Sequence, residues 1–303
     1  MNRPFIVRAM EIVDAATHGY AINRPFIVAE VSANHLGQLS RALDLVDAAA
    51  SAGADAVKLQ TFTPEQMAEP GVIIEAGPWA GRSLLDLYRE AHTPREWHAP
   101  IFHHARRLGL VVFSSAFHPD DVDFLEGLDC PIYKIASFEI TDRNLIRYAA
   151  RTNKPIIIST GMATREEIAF ACDLARGAGC MDLTLLKCTS AYPADASDAN
   201  LAAMAYMGDA FRAHAFGLSD HTPGIGVSVA ATALGASVIE KHITLSRADG
   251  GPDAAFSMEP EEFRQLVVEC RRAAAAIGEV RYGPTPSEAA SVLLRRKSGG
   301  KRG

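Results

Sequence analysis

No stretch of this 303-residue chain approaches the roughly 20 consecutive apolar residues of a membrane-spanning helix, so none is expected. An excess of positive charge is also missing. Lys and Arg total 30 against 36 Asp and Glu, a formal net charge of −6. The molecule as a whole attracts neither nucleic acid nor an anionic membrane, so an anionic substrate must be held by local cations. Cysteine is sparse. Cys130, Cys172, Cys180, Cys188 and Cys270 are odd in number, scattered, and form no Cys-x-x-Cys. A disulfide framework is not expected, and a reducing cytoplasm is the implied compartment. The N-terminus carries Glu11 and Asp14 and lacks a clean apolar core, so it does not read as a signal peptide.

What the chain has is apolar bulk in a repeating pattern. Hydrophobic residues make up 48%, and the length fits one α/β barrel of about 250 residues with additions. Short β-branched runs occur at Phe26–Val31, Asp55–Gln60, Leu110–Ser114, Pro131–Ala136, Pro155–Thr160, Leu183–Cys188, Ala215–Ser219 and Ser237–His242. Most are near-continuously apolar, as parallel strands covered on both faces are. Between them lie stretches with helical spacing: Leu39–Ala52, Pro94–Leu108, Thr164–Ala178, Asn200–Arg212, Ile225–Leu234 and Glu259–Ile277. Thr93 reads as an N-cap before Pro94 at the first helical position. Gly53, Gly109, Gly179 and Gly235 follow helices, where a left-handed residue is expected.

Eight such pairs predict a (β/α)8 TIM barrel over residues 23–282. Residues 1–22 form a short N-terminal extension, with a hairpin around Met10–Ala21 expected to plug the barrel bottom. The hexapeptide Asn-Arg-Pro-Phe-Ile-Val occurs twice, at Asn2–Val7 and Asn23–Val28, and only the second copy enters a strand. Residues 283–303 read as a linker remnant and a truncated tail bearing Arg295, Arg296, Lys297, Lys301 and Arg302. That tail is expected to be a disordered end, with a basic binding element as the alternative. The long connection Phe62–Thr93 is expected to be functional or to carry small structure of its own.

In a barrel of this kind, chemistry collects where strands end and βα loops begin. Those positions hold Glu30, Ser32, Asn34 and His35; Lys58 and Gln60; Ser114 and Ser115; Lys134 and Ser137; Ser159 and Thr160; Lys187, Thr189 and Ser190; Ser219, Asp220 and His221; and Glu240, Lys241 and His242. Lys58, Lys134 and Lys187 each interrupt an apolar strand. Either they are paired core lysines, with Glu30 or Glu240 as partner, or they bind a small, highly charged anion with help from Ser115, Ser137, Ser159 and Ser219. A Schiff-base lysine is a third reading. His221 and His242 end neighbouring strands and can converge on one divalent metal. Acid–base work or plain structure are the alternatives for that pair. His92, His98, His103 and His104 are expected at the surface. Glu30, Glu240 and Asp253 can bind substrate hydroxyls, orient water or act as a base, and Glu30 is also a natural ion-pair partner for Lys58.

At these residues the chain resembles the sialic acid synthase family. The matching stretches are Ala-Glu-Val-Ser-Ala-Asn-His (Ala29–His35), Gly-Ala-Asp-Ala-Val-Lys-Leu-Gln-Thr (Gly53–Thr61), Tyr-Lys-Ile-Ala-Ser (Tyr133–Ser137), Ser-Thr-Gly-Met (Ser159–Met162), Gly-Leu-Ser-Asp-His-Thr (Gly217–Thr222) and Ile-Glu-Lys-His (Ile239–His242). The similarity runs from about Pro25 to about Glu288. Tyr88–His98, Leu186–Pro193 and Ser246–Glu261 resemble the branch that takes a diacetamido trideoxy altrose acceptor; the N-acyl mannosamine branch usually carries His where Lys187 stands.

The resemblance implies that phosphoenolpyruvate condenses with an amino-sugar aldehyde. Lys58 and Lys134, with Ser115, Ser137, Ser159 and Ser219, would hold phosphoenolpyruvate. Gln60, Lys187 and Glu240 would bind substrate, Glu30 and Asp253 would contact the sugar or position water, and His221 and His242 would bind a divalent metal, manganese. It also implies a homodimer. Family members continue into a small cap domain that supplies an arginine to the sugar site, whereas this chain ends at Gly303. Weaker sugar binding, or a catalytically impaired barrel that needs a separate cap protein or acts as a binding partner, is the corresponding expectation, and condensation with an N-acyl mannosamine is the alternative reaction.

Overall fold

The computed structural model describes residues 24–295. Eight parallel strands close into one barrel in sequence order: β1 (Phe26–Glu30), β2 (Ala56–Thr61), β3 (Val111–Ala116), β4 (Tyr133–Ile135), β5 (Ile156–Ser159), β6 (Leu183–Cys188), β7 (Ala215–Asp220) and β8 (Val238–His242), with β8 returning to β1. Each lies within two residues of its expected bounds at either end. Their apolar residues are buried on both faces, inside the barrel and under the helices. This is the expected (β/α)8 barrel.

The six expected helices are present with ends shifted by at most one residue. Two more cover β3 and β4: Pro119–Glu126 and Arg143–Ala150. At eight residues each they are barely two turns, too short for apolar spacing to stand out. Their starts are marked instead by caps. The His118 side chain accepts from the Asp120 amide while Asp121 accepts back from the His118 amide, and Asp142 accepts from Asn144 and Leu145. Thr93 is not the cap expected of it. The helix starts at Arg95 with Pro94 as N-cap. The Thr93 hydroxyl instead meets Nε2 of buried His35, 3.3 Å away.

The connection Phe62–Thr93 carries structure of its own. It contains the helices Pro64–Met67 and Leu84–Ala91 and an antiparallel bridge between Ile73 and Ser83. Phe62 anchors it, edge-on to Tyr88 and Phe117 at 5.5 and 5.4 Å. His98 is not the surface residue expected. It is fully buried, with Nδ1 donating to the Pro94 carbonyl at 3.1 Å and Nε2 accepting from Thr61 Oγ1 at 2.8 Å. Burial pushes its pKa down to about 4, so it stays neutral.

The N-terminal extension, the first Asn-Arg-Pro-Phe-Ile-Val copy and the tail from Arg296 lie outside the described residues. The described part of the last segment forms a short 3-10 turn, Pro286–Glu288, and one helical turn, Ala289–Val292, with no buried residue.

Gly217 is required by packing rather than by backbone angle. A Cβ there would lie 2.0 Å from the Val238 carbonyl oxygen of β8. Gly217→Ala is expected to destabilise the barrel by about 3 kcal/mol or more. Gly226→Ala, where a Cβ meets nothing within 4 Å, is expected to be neutral or stabilising by about 0.5 kcal/mol. Urea unfolding of both variants checks this, and equal midpoints would contradict it. His98 makes stability depend on pH. The unfolded chain takes up this proton below pH 6.5 while the folded chain refuses it until about pH 4, so stability falls across that window as pH drops. The loss at pH 5 is about 2 kcal/mol. His98→Gln should lose that much less between pH 7.5 and pH 5, read from urea midpoints.

Candidate active site

Adjacent parallel strands place registered residues on the same side of the sheet. Glu30 pairs with Lys58 and His242, Gln60 with Ser115, Ser115 with Lys134, and Ser219 with both Cys188 and Glu240. These residues face the barrel axis and, with Ser159 of β5, line the floor of one cavity of about 930 Å³ at the C-terminal mouth. That volume holds two small substrates side by side. Ser137, His221 and Asp253 reach the same cavity from the loops.

The floor is a polar network. The Lys58 ammonium lies 2.7 Å from Glu30 and 3.7 Å from Glu240, and donates to Ser115 at 3.1 Å. Gln60 donates to Glu30 at 2.9 Å and to Ser32 at 3.1 Å. Ser32 donates to Asp253, and Ser219 donates to Glu240 at 3.0 Å. Burial opposes the Lys58 charge, but Glu240 and Glu30 outweigh it and raise its pKa. Burial raises Glu30. At Glu240 burial is outweighed by Lys58 and Lys134, so that carboxyl is held down. Lys58 therefore has both carboxylate partners and still lines the cavity.

Lys134 is different. It is fully buried and donates to Ser159 at 2.7 Å and to the Ile135 carbonyl at 3.2 Å. Among the described residues it has no ion-pair partner within 4.0 Å. Burial pushes its pKa down, with only partial relief from Glu240. Such a cation calls for an anion from outside the chain. Beside it, the Gly161 amide donates to Ser137 at 3.0 Å, and Ser190 Oγ is buried without a partner.

Lys187 does not join them. It is registered with Leu218 on the outer face, and its ammonium donates to the Cys188 carbonyl at 2.7 Å. Cys188 is the inward residue of β6. Burial pushes its thiol up, but His221, with Nδ1 3.9 Å from Sγ, brings it down to about 7. The same parity turns Lys241 and Asp220 outward as registered partners. They form a buried ion pair at 2.8 Å, and Asp220 also accepts from Thr222 and Ser228 while Lys241 donates to the Thr222 carbonyl. Both carboxylate oxygens and two of the three ammonium protons of the pair are used, and it ties together the strand ends that carry His221 and His242.

The rings of His221 and His242 stand 5.3 Å apart. His221 Nδ1 is 3.0 Å from the Thr189 carbonyl, leaving Nε2 free to face the cavity. His242 Nδ1 is buried without a partner, and burial, then the surrounding cations, push its pKa far below the imidazole range. A neutral imidazole with an unused lone pair beside a second imidazole fits a divalent cation with open positions for substrate. No group of three protein ligands is present among the described residues.

Trp79, Tyr192 and Phe256 also line the cavity and were not among the expected site residues. Tyr192 packs 4.5 Å from the His221 ring and Phe256 5.0 Å from His242. Tyr192 follows β6 closely enough to be weighed by position, but nothing local in the sequence brings Trp79 to this mouth.

The NeuB family model matches residues 45–282. The chain is 48% identical over 259 residues to a pseudaminic acid synthase of Helicobacter pylori, covering 84% of this chain and 76% of that protein. It is 36% identical to an N,N'-diacetyllegionaminic acid synthase of Campylobacter jejuni, covering 91% and 84%. The crystal structure of an N-acetylneuraminic acid synthetase from Leptospira borgpetersenii, in complex with citrate, superposes with a TM-score of 0.79 at 31% identity, covering 89% of this chain and 91% of that one. A barrel that gathers two lysines, six serines and two histidines at one mouth, and matches along most of its length, belongs to the NeuB family.

Proposed function

We propose that this chain condenses phosphoenolpyruvate with a 2,4-diacetamido-2,4,6-trideoxy-altrose aldehyde to give pseudaminic acid and phosphate. The observation that carries the reading is Lys134, a buried cation without an ion-pair partner among the described residues, set among Ser137, Ser159 and Gly161. It suits the phosphate and carboxylate of phosphoenolpyruvate. The 48% identity to the Helicobacter pylori enzyme supports the choice of acceptor.

In this reading Lys58 and Lys134, with Ser115, Ser137, Ser159 and Ser219, hold phosphoenolpyruvate with its methylene carbon toward the two histidines. His221 and His242 would hold a divalent metal, with manganese the proposed ion; it supplies Lewis-acid polarisation of the aldehyde oxygen. The methylene carbon attacks the aldehyde carbon, water adds at C2, and the C2–O bond to phosphate breaks. Gln60 holds Glu30 in place, and Glu30, raised by burial, is the better proton carrier of the two carboxylates beside Lys58. Asp253, fixed by Ser32 and the Ala33 amide, faces the sugar or the attacking water. The chain supplies orientation and charge rather than a covalent nucleophile. We further propose a homodimer acting in the cytoplasm, the latter supported by five free, buried cysteines.

Phosphate release is expected with the altrose acceptor, to be abolished by chelation, and to be insensitive to borohydride. Release with N-acetylmannosamine instead would favour an N-acetylneuraminate-type enzyme. No release with either sugar, despite bound phosphoenolpyruvate, would favour a barrel that needs a separate cap protein. His221→Ala and His242→Ala should each lose bound manganese while keeping the wild-type circular dichroism spectrum. Lys134→Met is expected to raise KM for phosphoenolpyruvate about 100-fold, and Lys187→Met to change it less than about twofold. Equal effects in the two lysine variants would contradict the assignment.

A further inference from the structure

The cavity has two chemically different sides. Its floor is the charged network described above. Its opposite wall is supplied by the segment between β2 and the helix Arg95–Arg107, together with loop aromatics: Ile74, Trp79, Leu84, Leu87, Tyr192 and Phe256. Trp79 is the centre of this wall. Its ring lies 5.4 Å from Tyr192 and 6.3 Å from Phe256, and those two rings in turn pack on His221 and His242. The Trp79 indole N–H donates to the Pro252 carbonyl at 2.9 Å, next to Asp253, so the ring is tied across the mouth and its one polar atom is used.

An acceptor whose aldehyde sits at the histidines must run its far end along this wall. Apart from the Tyr192 hydroxyl, the six side chains offer a sugar hydroxyl no free hydrogen-bonding atom. A hydroxyl set against them gives up water and finds no partner, whereas a deoxy methyl, or the methyl end of an acylamino group whose amide turns away from the wall, gains by burial. We propose that this apolar wall, centred on Trp79, determines acceptor specificity, selecting sugars whose distal carbons carry deoxy and acylamino groups over fully hydroxylated ones. The inference deepens the synthase reading and rests on it for the orientation of the acceptor.

Two acceptors of one configuration isolate the wall from stereochemistry: N-acetylmannosamine and 2,4-diacetamido-2,4,6-trideoxy-mannose. Turnover of both, and of the altrose sugar, is measured in wild type, Trp79→Phe, Trp79→Ala and Ile74→Asn. Calorimetric binding of the unreactive alditols of the matched pair runs in parallel. Wild type should favour the deoxy, acylated member by about tenfold or more, a ratio a hydrophobic pocket can supply. Trp79→Ala and Ile74→Asn should collapse that ratio, mainly through KM or alditol affinity, with KM for phosphoenolpyruvate within about twofold. Trp79→Phe should keep the ratio, since it keeps an apolar ring and loses only the bond to Pro252.

Equal losses for both matched sugars in Trp79→Ala and Ile74→Asn would overturn the wall and leave a purely structural role. Collapse of the ratio in Trp79→Phe would overturn it in favour of the Pro252 tie. Alditol discrimination that depends on Trp79 without turnover of any sugar would sink the synthase reading and leave the wall standing. Turnover of the altrose sugar with no discrimination within the matched pair would do the reverse.

Discussion

A closed parallel barrel under a helical layer hides both faces of every strand, and the rest of this structure follows from that constraint. Any charge placed on such a strand is desolvated whichever way it points. Direction then decides what the charge is for. Outward, Asp220 and Lys241 pair between β7 and β8 and make further hydrogen bonds to Thr222 and Ser228. Inward, Glu30, Lys58, Lys134 and Glu240 meet at the mouth, where a ligand can share the desolvation.

The two inward lysines divide the work. Lys58 has both carboxylates and is charged without help from outside. Lys134 leans only on Ser159 and a backbone carbonyl, and burial erodes its charge. An arriving anion therefore relieves Lys134 most. Across the cavity the aromatic wall is nearly free of unused polar atoms. One site thus offers a charged half to one substrate and an apolar half to the other, with the two histidines between them.

Much of this was legible in the residues themselves. Near-continuous apolar runs read as parallel strands, and the lysines, serines and histidines interrupting their C-terminal ends read as a mouth. The failures have physical causes. Lys187 reads as a site residue because a cation in an apolar strand is conspicuous. Its neighbour Cys188, which does face in, carries no such signal, and a one-residue difference in parity reverses the face. His98 reads as a surface helix residue, whereas in the fold it is buried against the hydroxyl of Thr61, 37 residues away. The helices over β3 and β4 escaped because two turns are too short for a period to show.

Local composition and order determined the alternation of strands and helices, the barrel class, and which chemical groups stand at the strand ends, because each depends on spacing along the chain. Tertiary structure alone decided which member of each adjacent pair faces the cavity, that Lys58 is paired and Lys134 is not, and that Trp79 is held by a carbonyl 173 residues further on. Those outcomes depend on register between strands and on loops that meet only after the barrel has closed. Contacts of that range leave no mark in the local pattern of residues.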